Sequence, residues 1–470
     1  MLALVTTIKH GASNQYYAMQ YSPETRCMRV SSMSALRLGE HVKVDKQGNA
    51  ELAKGPEDAE KARAAARVAA TAYAESATKK SPYKTNIEQF DEIAQTMWHQ
   101  IADAARLLLL KVQYAAPIII RYHNDIDGAS GAYAIYSALK KFACSNIIWE
   151  MHKGIAYGAA DAQSDIAVAG LYESLEKPLL LIIDFGTTEE SNAGIKELGS
   201  KTDLIWLDHH PVTDGFSFKG ARHYINPWLA GGDSNFTAGS LATLFAHAFS
   251  DIDATHIMQA SFIGDYSKYA KPDKYSRELA AVLDVATSDT QIVGSHNGNL
   301  TPEAIEGVLE DEKKRAEVVN YANNRMEEVL DTALESVKVH RLGGVSAYVL
   351  DFEKARGTGE KYPLPGRFAS RLMGKIEELD RGNAVLILHM GLYVSIREST
   401  NAKQKLNLLK LIDSVKKRLG SEIDSGGGHM SAGSIRLSGE YAKKAVINAL
   451  LDELGKELGG TDAKAKQQKS

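Results

Sequence analysis

Seven aspartate and histidine side chains follow the apolar segments in the middle of this chain, at spacings that could bind a metal. They are His123, Asp125, Asp127, Asp184, Asp208, His209 and His210. Alone, each is better explained by a helix cap or a turn. Together at the ends of buried segments, the carboxylates are costly unless a cation compensates their charge. Carboxylate oxygens mixed with imidazole nitrogens suit Mn(II), Mg(II) or Fe(II) better than a metal that prefers thiolate, so the residue types predict a divalent metal centre.

Short apolar runs that alternate with helical stretches must position these side chains. The runs are PIIIRY, NIIWEM, PLLLIIDF and DLIWLD, between residues 117 and 208. Continuous apolar strands separated by helices are typical of a parallel sheet that is covered on both faces. Such sheets bind ligands at the carboxyl ends of their strands. Because the aspartates and histidines follow three of the four runs, the pattern places them at one edge of the sheet.

The order and spacing of these motifs resemble those of the DHH phosphoesterase superfamily. The matching pieces are His123-x-Asp125-x-Asp127-Gly128, Asp184 after PLLLII, Asp208-His209-His210-Pro211 and Asp265 in FIGDY. A GGGH sequence at residues 426–429 resembles the glycine-rich motif of the DHH-associated C-terminal domain, so the resemblance covers roughly residues 117–458. Within the superfamily, the NPW and GGDSNFTAG stretches and the helical lead-in are most similar to archaeal RecJ-like single-strand exonucleases.

The resemblance implies a two-metal centre that holds Mn(II), with Mg(II) as the alternative. It assigns the first ion to His123, Asp125 and Asp184. It assigns the second ion to Asp127, Asp184, His209 and Asp265, so that Asp184 bridges the two. Asp265 rests on a single aspartate at the end of a helical stretch, and Asp251 and Asp253 lie near it in the sequence. The same resemblance places His210 beside the scissile phosphate, and Asp208 would orient a histidine or contact the metal pair through water.

A second set of residues is expected to hold the rest of the substrate. Gly426, Gly427 and Gly428 would bring backbone N–H groups close to a phosphate or a sugar from a loop, and His429 would add a donor. The resemblance also places a substrate-contacting arginine at Arg397, near the end of a predicted strand. Between Arg397 and Arg418, basic residues outnumber acidic ones, which is typical both of a strand-binding stripe and of a solvated helix face.

The predicted fold class is α/β, with a parallel-sheet DHH domain, a smaller α/β domain across a cleft, an N-terminal β unit and a helical lead-in. The predicted boundaries are 1–53 for the β unit, 54–114 for the helices, 115–300 for the DHH domain, 301–335 for a helical connector, 336–458 for the DHH-associated domain and 459–470 for a disordered tail. An oligonucleotide-binding barrel is an alternative for residues 1–53, although five strands are not evident there.

Composition excludes several classes of protein. The chain carries 55 Lys and Arg against 59 Asp and Glu, a net charge of −4, so it does not grip nucleic acid by overall charge. Cys27 and Cys144 are far apart and offer neither a disulfide framework nor a zinc ribbon, which fits a reducing cytoplasm. We find no membrane span and no signal peptide, and expect a cytoplasmic protein with no membrane partner.

These features favour a manganese-dependent phosphodiesterase that shortens single-stranded DNA or RNA from an end. The alternative within the same chemistry is a phosphoesterase for short oligonucleotides or nucleotide monophosphates, and chain-length preference separates the two. A catalytically silent replication scaffold is a third reading, but such proteins lose metal ligands, and all of the expected ligands are present here. The N-terminal region could in addition dock a replication or repair protein.

Overall fold

The structure, a computed structural model, describes residues 1–21, 24–53, 59–78, 80–142, 146–295, 299–429 and 432–467. The chain divides into two compact units, Met1–Glu312 and Lys313–Ser470. The division falls inside the segment that the sequence predicted as one helical connector. That segment holds two helices, Pro302–Leu309 and Glu312–Ser336, and the first of them belongs to the N-terminal unit.

The N-terminal residues form five short strands. These are β1 (Leu2–Lys9), β2 (Gln15–Gln20), β3 (Arg26–Val30), β4 (His41–Val44) and β5 (Ala50–Leu52). β1 pairs antiparallel with both β2 and β4, and a parallel bridge between Ser31 and Asn49 joins the end of β3 to the start of β5. Five strands closed in this way form the small barrel that the sequence left open as an alternative.

Two helices, α1 (Ala59–Ala77) and α2 (Glu88–Gln113), form the lead-in. Ala66 and Ala70 of α1 pack with Leu4 and Met19 of the barrel. The apolar stripe of α2 faces the next domain, where Phe90 stacks on Phe236 with ring centroids 3.9 Å apart. Both helices are found where the sequence predicted them, because alanine-rich and three-to-four-spaced apolar patterns are local signals.

The central domain is a five-stranded parallel sheet with helices on its faces. Its strands are β6 (Pro117–His123), β7 (Asn146–His152), β9 (Leu179–Ile183), β10 (Asp203–Leu207) and β11 (His223–Ile225). Its helices are α3 (Ile126–Leu139), α4 (Ala159–Ala169), α5 (Asn192–Leu198), α6 (Ala238–His247), α7 (Thr255–Gly264), α8 (Lys274–Ser288) and α9 (Pro302–Leu309). The strand order is β11-β10-β9-β6-β7, with every pairing parallel. The predicted α/β class is confirmed.

A short strand attaches the barrel to the central domain. This strand, β8 (Tyr172–Ser174), pairs antiparallel with residues 7–9 of β1. It lies just before β9 in the chain, so the contact is at the amino-terminal ends of the parallel strands. The buried ammonium of Lys111, at the end of α2, stabilises the same edge by ion pairs with Glu176 at 3.1 Å and Asp203 at 2.8 Å.

The C-terminal unit is a six-stranded mixed sheet with helices. Its strands are β12 (Lys338–Arg341), β13 (Ser346–Asp351), β14 (Ala384–Met390), β15 (Tyr393–Glu398), β16 (Ile423–His429) and β17 (Ala432–Leu437). Its helices are α10 (Glu312–Ser336), α11 (Phe352–Arg356), α12 (Pro365–Leu379), α13 (Leu408–Leu419) and α14 (Lys443–Gln467). The strand order is β12-β13-β14-β15-β17-β16.

The C-terminal end of the chain differs from the sequence expectation. The last helix continues to Gln467, beyond residue 459, where a disordered tail was predicted. Alanine, lysine and glutamine in that segment are good helix formers, which accounts for the difference. Among the described residues, the helices are too short or too polar to cross a bilayer.

Candidate metal centre

The aspartates and histidines converge at the point where the strand order of the parallel sheet reverses. After β6 the chain places β7 on one side, and it then places β9, β10 and β11 on the other side. His123 is the last residue of β6, and Asp184 and Asp208 directly follow β9 and β10. Ligands of open parallel sheets bind at such a switch point, because the loops from neighbouring strands diverge there and leave a crevice.

One group joins the turn after β6 to the turn after β9. His123 Nδ1 lies 2.7 Å from Asp125 Oδ2 and 3.6 Å from Asp184 Oδ2. Asp125 also caps α3 by accepting a hydrogen bond from the Gly128 backbone N–H at 3.0 Å. A Cβ at Gly128 would lie 2.5 Å from the His123 carbonyl oxygen, so only glycine lets the turn close this tightly. The ligand atoms of this trio lie within 4.8 Å of one another.

Asp184 occupies the most constrained position of the site. Its φ of +71° lies in the left-handed region, which non-glycine residues rarely adopt. Its backbone N–H is held by the Leu207 carbonyl at 2.9 Å. The carboxylate is buried, and within the described part of the chain its Oδ2 accepts no hydrogen bond. A buried carboxylate oxygen without a donor is the kind of atom that a metal ion satisfies.

A second group brings together Asp127, His209 and Asp265. His209 Nε2 lies 3.1 Å from Asp265 Oδ2, 3.3 Å from Asp184 Oδ1 and 3.7 Å from Asp127 Oδ2. Asp184 therefore contacts a histidine of each group. The four residues expected to hold the second ion lie together, and Asp184 stands between the two groups as a bridging ligand would.

The amino-terminal end of α6 fixes the carboxylate of Asp127. The backbone N–H groups of Ala238 and Gly239 donate to its two oxygens, each at 2.8 Å. A helix N-terminus favours an anion, because its first N–H groups lack partners within the helix. A Cβ at Gly239 would lie 2.8 Å from Asp127 Oδ1 and 2.7 Å from the Ser261 Cβ, so the close approach requires glycine.

A backbone carbonyl sets the orientation of His209. Its Nδ1 donates to the carbonyl oxygen of Ser234 at 2.8 Å. This hydrogen bond leaves Nε2 as the ring atom that faces the carboxylates. Histidine ligands of metals are commonly held in this way, with one nitrogen on a carbonyl or a carboxylate and the other on the metal.

Asp208 orients His210 instead of facing the two groups. Its Oδ1 accepts hydrogen bonds from His210 Nδ1 at 2.7 Å and from the His209 backbone N–H at 2.8 Å. Its Oδ2 accepts from the Thr187 hydroxyl. The carboxylate is fully buried, whereas the His210 ring is partly exposed. Asp208 thus contacts His210, and its role in a reaction stays a prediction.

The ionisation of these groups shows how much the site needs positive charge. Burial and the charges of Asp184 and Asp265 raise the pKa of Asp127 well above its ordinary value. Burial opposes a charge on His209, but the carboxylates of Asp184 and Asp265 close to its Nε2 outweigh that cost and raise its pKa. Both directions reflect a concentration of buried negative charge, which is the kind of charge that a divalent cation neutralises. Together with the unsatisfied oxygen of Asp184, this donor set of carboxylates and imidazoles fits a hard divalent metal.

The structure discriminates between the aspartates that the sequence could not separate. Asp265 ends α7 and faces His209. Asp251 instead pairs with Lys80, and Asp253 accepts a hydrogen bond from the Thr255 backbone N–H at 3.1 Å. The last expected ligand therefore sits at the site, and its two sequence neighbours do not.

Comparison with known proteins is consistent with this arrangement. Residues 117–289 match the profile of the DHH family, N-terminal domain. Residues 117–289 form a DHH-family domain. All the candidate ligands lie inside this DHH domain.

Similar proteins extend the likeness beyond the DHH domain. The chain is 24% identical over 405 residues to an uncharacterised protein of Methanocaldococcus jannaschii, and this alignment covers 73% of the chain. The alignment spans about half (52%) of that relative's length. Among solved structures, a DHH domain described as a member of the s1p family of ribosomal proteins matches with a TM-score of 0.68 at 20% identity, covering 85% of this chain and 99% of that one. RecJ of Thermus thermophilus, described in complex with Mn2+, matches with a TM-score of 0.50 at 13% identity, covering 83% of this chain and 61% of that one. At these identities the two structures show a shared fold.

The expected substrate-binding residues lie in the C-terminal unit. Arg397 is in β15, and its guanidinium donates to the Ser395 hydroxyl at 3.2 Å and to the Ser370 hydroxyl at 3.3 Å. Gly426, Gly427 and Gly428 lie in β16 and pair with β17, so the expected loop is a strand. The missing side chain at Gly428 permits the pairing, because a Cβ there would lie 2.4 Å from the Ala432 carbonyl oxygen. The side chain of His429 lies outside the described residues. The substrate contacts of all these residues stay predictions.

Several residues that build the DHH site were not found from the sequence. Thr187 holds Asp208, Ser234 holds His209, and Ser261 donates to Asp127 at 2.5 Å. Hydroxyls and carbonyls of this kind carry no spacing signal, because each acts across a long sequence separation. The start of α6 did have one signal, since Thr237 precedes the apolar helix as an N-cap and accepts a hydrogen bond from the Ser240 N–H.

Proposed function

We propose that this protein is a manganese-dependent phosphodiesterase that hydrolyses single-stranded DNA or RNA from one end. The observation that carries the proposal is the convergence of two ligand groups that meet at Asp184. Two-metal sites of this composition are typical of enzymes that cleave phosphate esters. RecJ of Thermus thermophilus, whose fold is similar, is described in complex with Mn2+, which supports a divalent metal here.

Six side chains would hold two Mn(II) ions, with Mg(II) as the alternative. They are His123, Asp125, Asp127, Asp184, His209 and Asp265. When bound, the ions would polarise the phosphoryl oxygens and lower the pKa of the attacking water. The chain itself supplies the geometry: the α6 N-terminus fixes Asp127, and the Ser234 carbonyl fixes the His209 ring.

His210 is the group of this chain that we expect to act on the substrate. Because its Nδ1 donates to Asp208, its Nε2 is the ring atom that would meet a phosphoryl oxygen or the leaving group. The buried carboxylate of Asp208 and the hydrogen bond to it raise the pKa of His210 despite the opposing effect of burial. A protonated imidazole can donate to the oxygen that departs from phosphorus, which is the role of a general acid.

A product ladder tests the proposal. Single-stranded DNA and RNA of graded length, labelled at the 5′ or the 3′ end, would be incubated with Mn(II), with Mg(II) or with a chelator. We expect stepwise shortening from one end, strongest with Mn(II) and absent with the chelator. Asp184→Asn serves as the inactive control. Hydrolysis confined to strands of a few nucleotides would instead identify a short-oligonucleotide phosphoesterase, and undiminished activity in the chelator would refute the two-metal site.

The metal content of the purified protein distinguishes an enzyme from a catalytically silent scaffold. We expect purified protein to take up about two Mn(II) per chain, and uptake near zero would revive the silent-scaffold reading. The expected contact of residues 1–53 with a replication or repair protein and the cytoplasmic location stay predictions.

A further inference from the structure

An exposed tryptophan lies directly beside the metal centre. Trp228 is 42% exposed, whereas the other three tryptophans of the chain, Trp98, Trp149 and Trp206, are 0–9% exposed. A single exposed apolar side chain is common on a protein surface, so exposure alone does not assign a role to Trp228. Its location suggests a role, because its indole N–H is hydrogen-bonded to the backbone carbonyl of His209, a candidate metal ligand.

The ring of Trp228 is held in place from two sides. Its indole N–H lies 3.1 Å from the carbonyl oxygen of His209 and 3.1 Å from the Ser234 hydroxyl. Its backbone N–H donates to Asn226 Oδ1 at 3.0 Å, in a turn that begins with Asn226-Pro227. Ser234 is also the residue whose carbonyl orients His209. The Trp228 ring is thus hydrogen-bonded to His209 and to Ser234, whose carbonyl orients the His209 ring.

A second exposed aromatic side chain adjoins another ligand. Tyr266 directly follows Asp265, has a φ of +51° and is 56% exposed. The loops that carry the two aromatic residues are bonded to each other, because the Lys268 backbone N–H donates to Asn235 Oδ1 at 2.8 Å and the Ser267 hydroxyl donates to the Asn235 carbonyl at 2.6 Å. Exposed aromatic rings therefore lie next to candidate ligands from two connected loops.

We propose that the exposed face of Trp228 stacks on a nucleobase of the strand whose phosphate lies at the metal centre. This inference rests on the proposed function and adds a base-binding surface to it. A nucleobase favours a flat aromatic partner, and stacking of this kind tolerates every base, because each has a π-face. A ring that is already fixed loses little conformational freedom on binding. The hydrogen bond to the His209 backbone favours a substrate base over a protein partner, because it keeps the ring beside a residue that would hold the metal.

Abasic substrates isolate the contribution of stacking. Single-stranded hexanucleotides would be compared with hexamers of equal length and charge that lack the bases of the terminal two nucleotides, and kcat/KM would be measured in Mn(II). We expect Trp228→Ala to lower the ratio of kcat/KM for base-bearing over abasic strands by roughly 5- to 150-fold, the range for loss of one stacked base. Trp228→Phe keeps a ring and should retain most of the ratio. Tyr441→Ala, an exposed aromatic in the C-terminal unit, is the matched control and should leave the ratio unchanged.

The ratio distinguishes stacking from mere support of His209. If Trp228 only supported the His209 backbone, Trp228→Ala would lower turnover of both substrates equally, and an unchanged ratio would overturn the inference. If the unmodified protein cleaves neither strand, the proposed function fails instead. Loss of binding to another protein with an unchanged base ratio would assign the ring to protein docking and would likewise overturn stacking.

Fluorescence gives a test that does not depend on a substituted protein folding. Because Trp228 is the exposed tryptophan, its emission should be the part that a bound base quenches. With Ca(II) in place of Mn(II), we expect the base-bearing hexamer to quench the emission and the abasic hexamer to leave it largely unchanged. Equal emission with both oligonucleotides, when both bind, would refute the stacking.

Discussion

Replacing Asp184 with asparagine should abolish metal-dependent hydrolysis and, at the same time, stabilise the metal-free protein. The two effects have opposite signs because the carboxylate is useful only when a cation is present. Burial and the charge of Asp125 raise the pKa of Asp184, and its Oδ2 accepts no hydrogen bond from the described residues. Without metal, the carboxylate is therefore a destabilising group in the folded state.

Asparagine is the appropriate replacement because of the backbone. Asp184 has a φ of +71°, a region in which asparagine and aspartate are enriched among non-glycine residues and alanine is strained. Asparagine also keeps the size and shape of the side chain. The change therefore removes the charge and leaves the turn after β9 and its hydrogen bond to Leu207 in place.

Two energies determine the expected change in stability. Asparagine keeps a polar group in the site but removes its charge, and an unsatisfied buried charge costs more than the about 1–3 kcal/mol of a neutral group, so Asp184→Asn should raise the free energy of unfolding in a chelator. In the unmodified protein, an ion at a hundred times its dissociation constant adds about 2.7 kcal/mol of stability. Loss of a ligand shared by both groups should remove most of that gain. Activity should fall by more than the roughly 10- to 100-fold typical of losing a residue that only orients a ligand.

Urea unfolding in a chelator and in Mn(II), together with turnover of a labelled strand, would measure both effects. Asp251→Asn is the matched control, since that aspartate is exposed and pairs with Lys80 away from the site. The reasoning is refuted if Asp184→Asn is destabilised in the chelator by more than the control, or if it gains as much stability from Mn(II) as the unmodified protein.

Three further changes test other parts of the structure. Asp208→Asn should lower kcat by about 10- to 100-fold with a smaller effect on Mn(II) affinity, because it loosens the His210 ring, and an equal loss of metal binding would contradict the positioning role. Burial raises the pKa of Glu398 from 4.5 to about 7, so the free energy of unfolding should decline as pH rises from 4.5 to 7 and then level off. Glu398→Gln should abolish that decline and be more stable at pH 8 by up to about 3 kcal/mol in urea unfolding. If the variant and the unmodified protein show the same pH dependence, this carboxyl is not its cause. Arg121→Met should cost about 3–5 kcal/mol in the same assay, because it strands the buried carboxylate of Asp165, which Arg121 contacts through two nitrogens, and an unchanged urea midpoint would refute the ion pair's role.

Local patterns in the sequence were sufficient for most of the elements and for the prediction of a metal centre. The four apolar runs predicted the strands of a parallel sheet, and these strands are present with the expected pairing. The residues that follow the runs predicted a divalent metal centre, because their types and their place at strand ends are both readable from the chain. Both inferences needed only local patterns and the rule that the carboxyl ends of parallel strands meet at one edge of a sheet.

Contacts across long sequence separations were decided only by the tertiary structure. Asp265 joins the site because α7 packs against α3, whereas its sequence neighbours Asp251 and Asp253 face elsewhere. Asp127 is fixed by the start of α6, more than a hundred residues later. Such contacts depend on how helices pack, and the spacing of residues does not encode that packing.

The pairing of the N-terminal strands and the conformation of the glycines at 426–428 were likewise decided by the tertiary structure. A β unit was predicted for residues 1–53, but its closure through the Ser31–Asn49 bridge and its attachment through β8 depend on pairing between distant segments, which the sequence does not specify. The glycines at residues 426–428 suggested a loop from their composition, yet they form β16, because pairing with β17 outweighs their weak preference for strands. The exposure of Trp228 also follows from its surroundings alone, since a tryptophan in a sequence is equally consistent with a buried core. The sequence therefore predicted which residue types could form a metal centre, and the tertiary structure determined which of these side chains lie together, because ligand geometry is set by packing between distant elements.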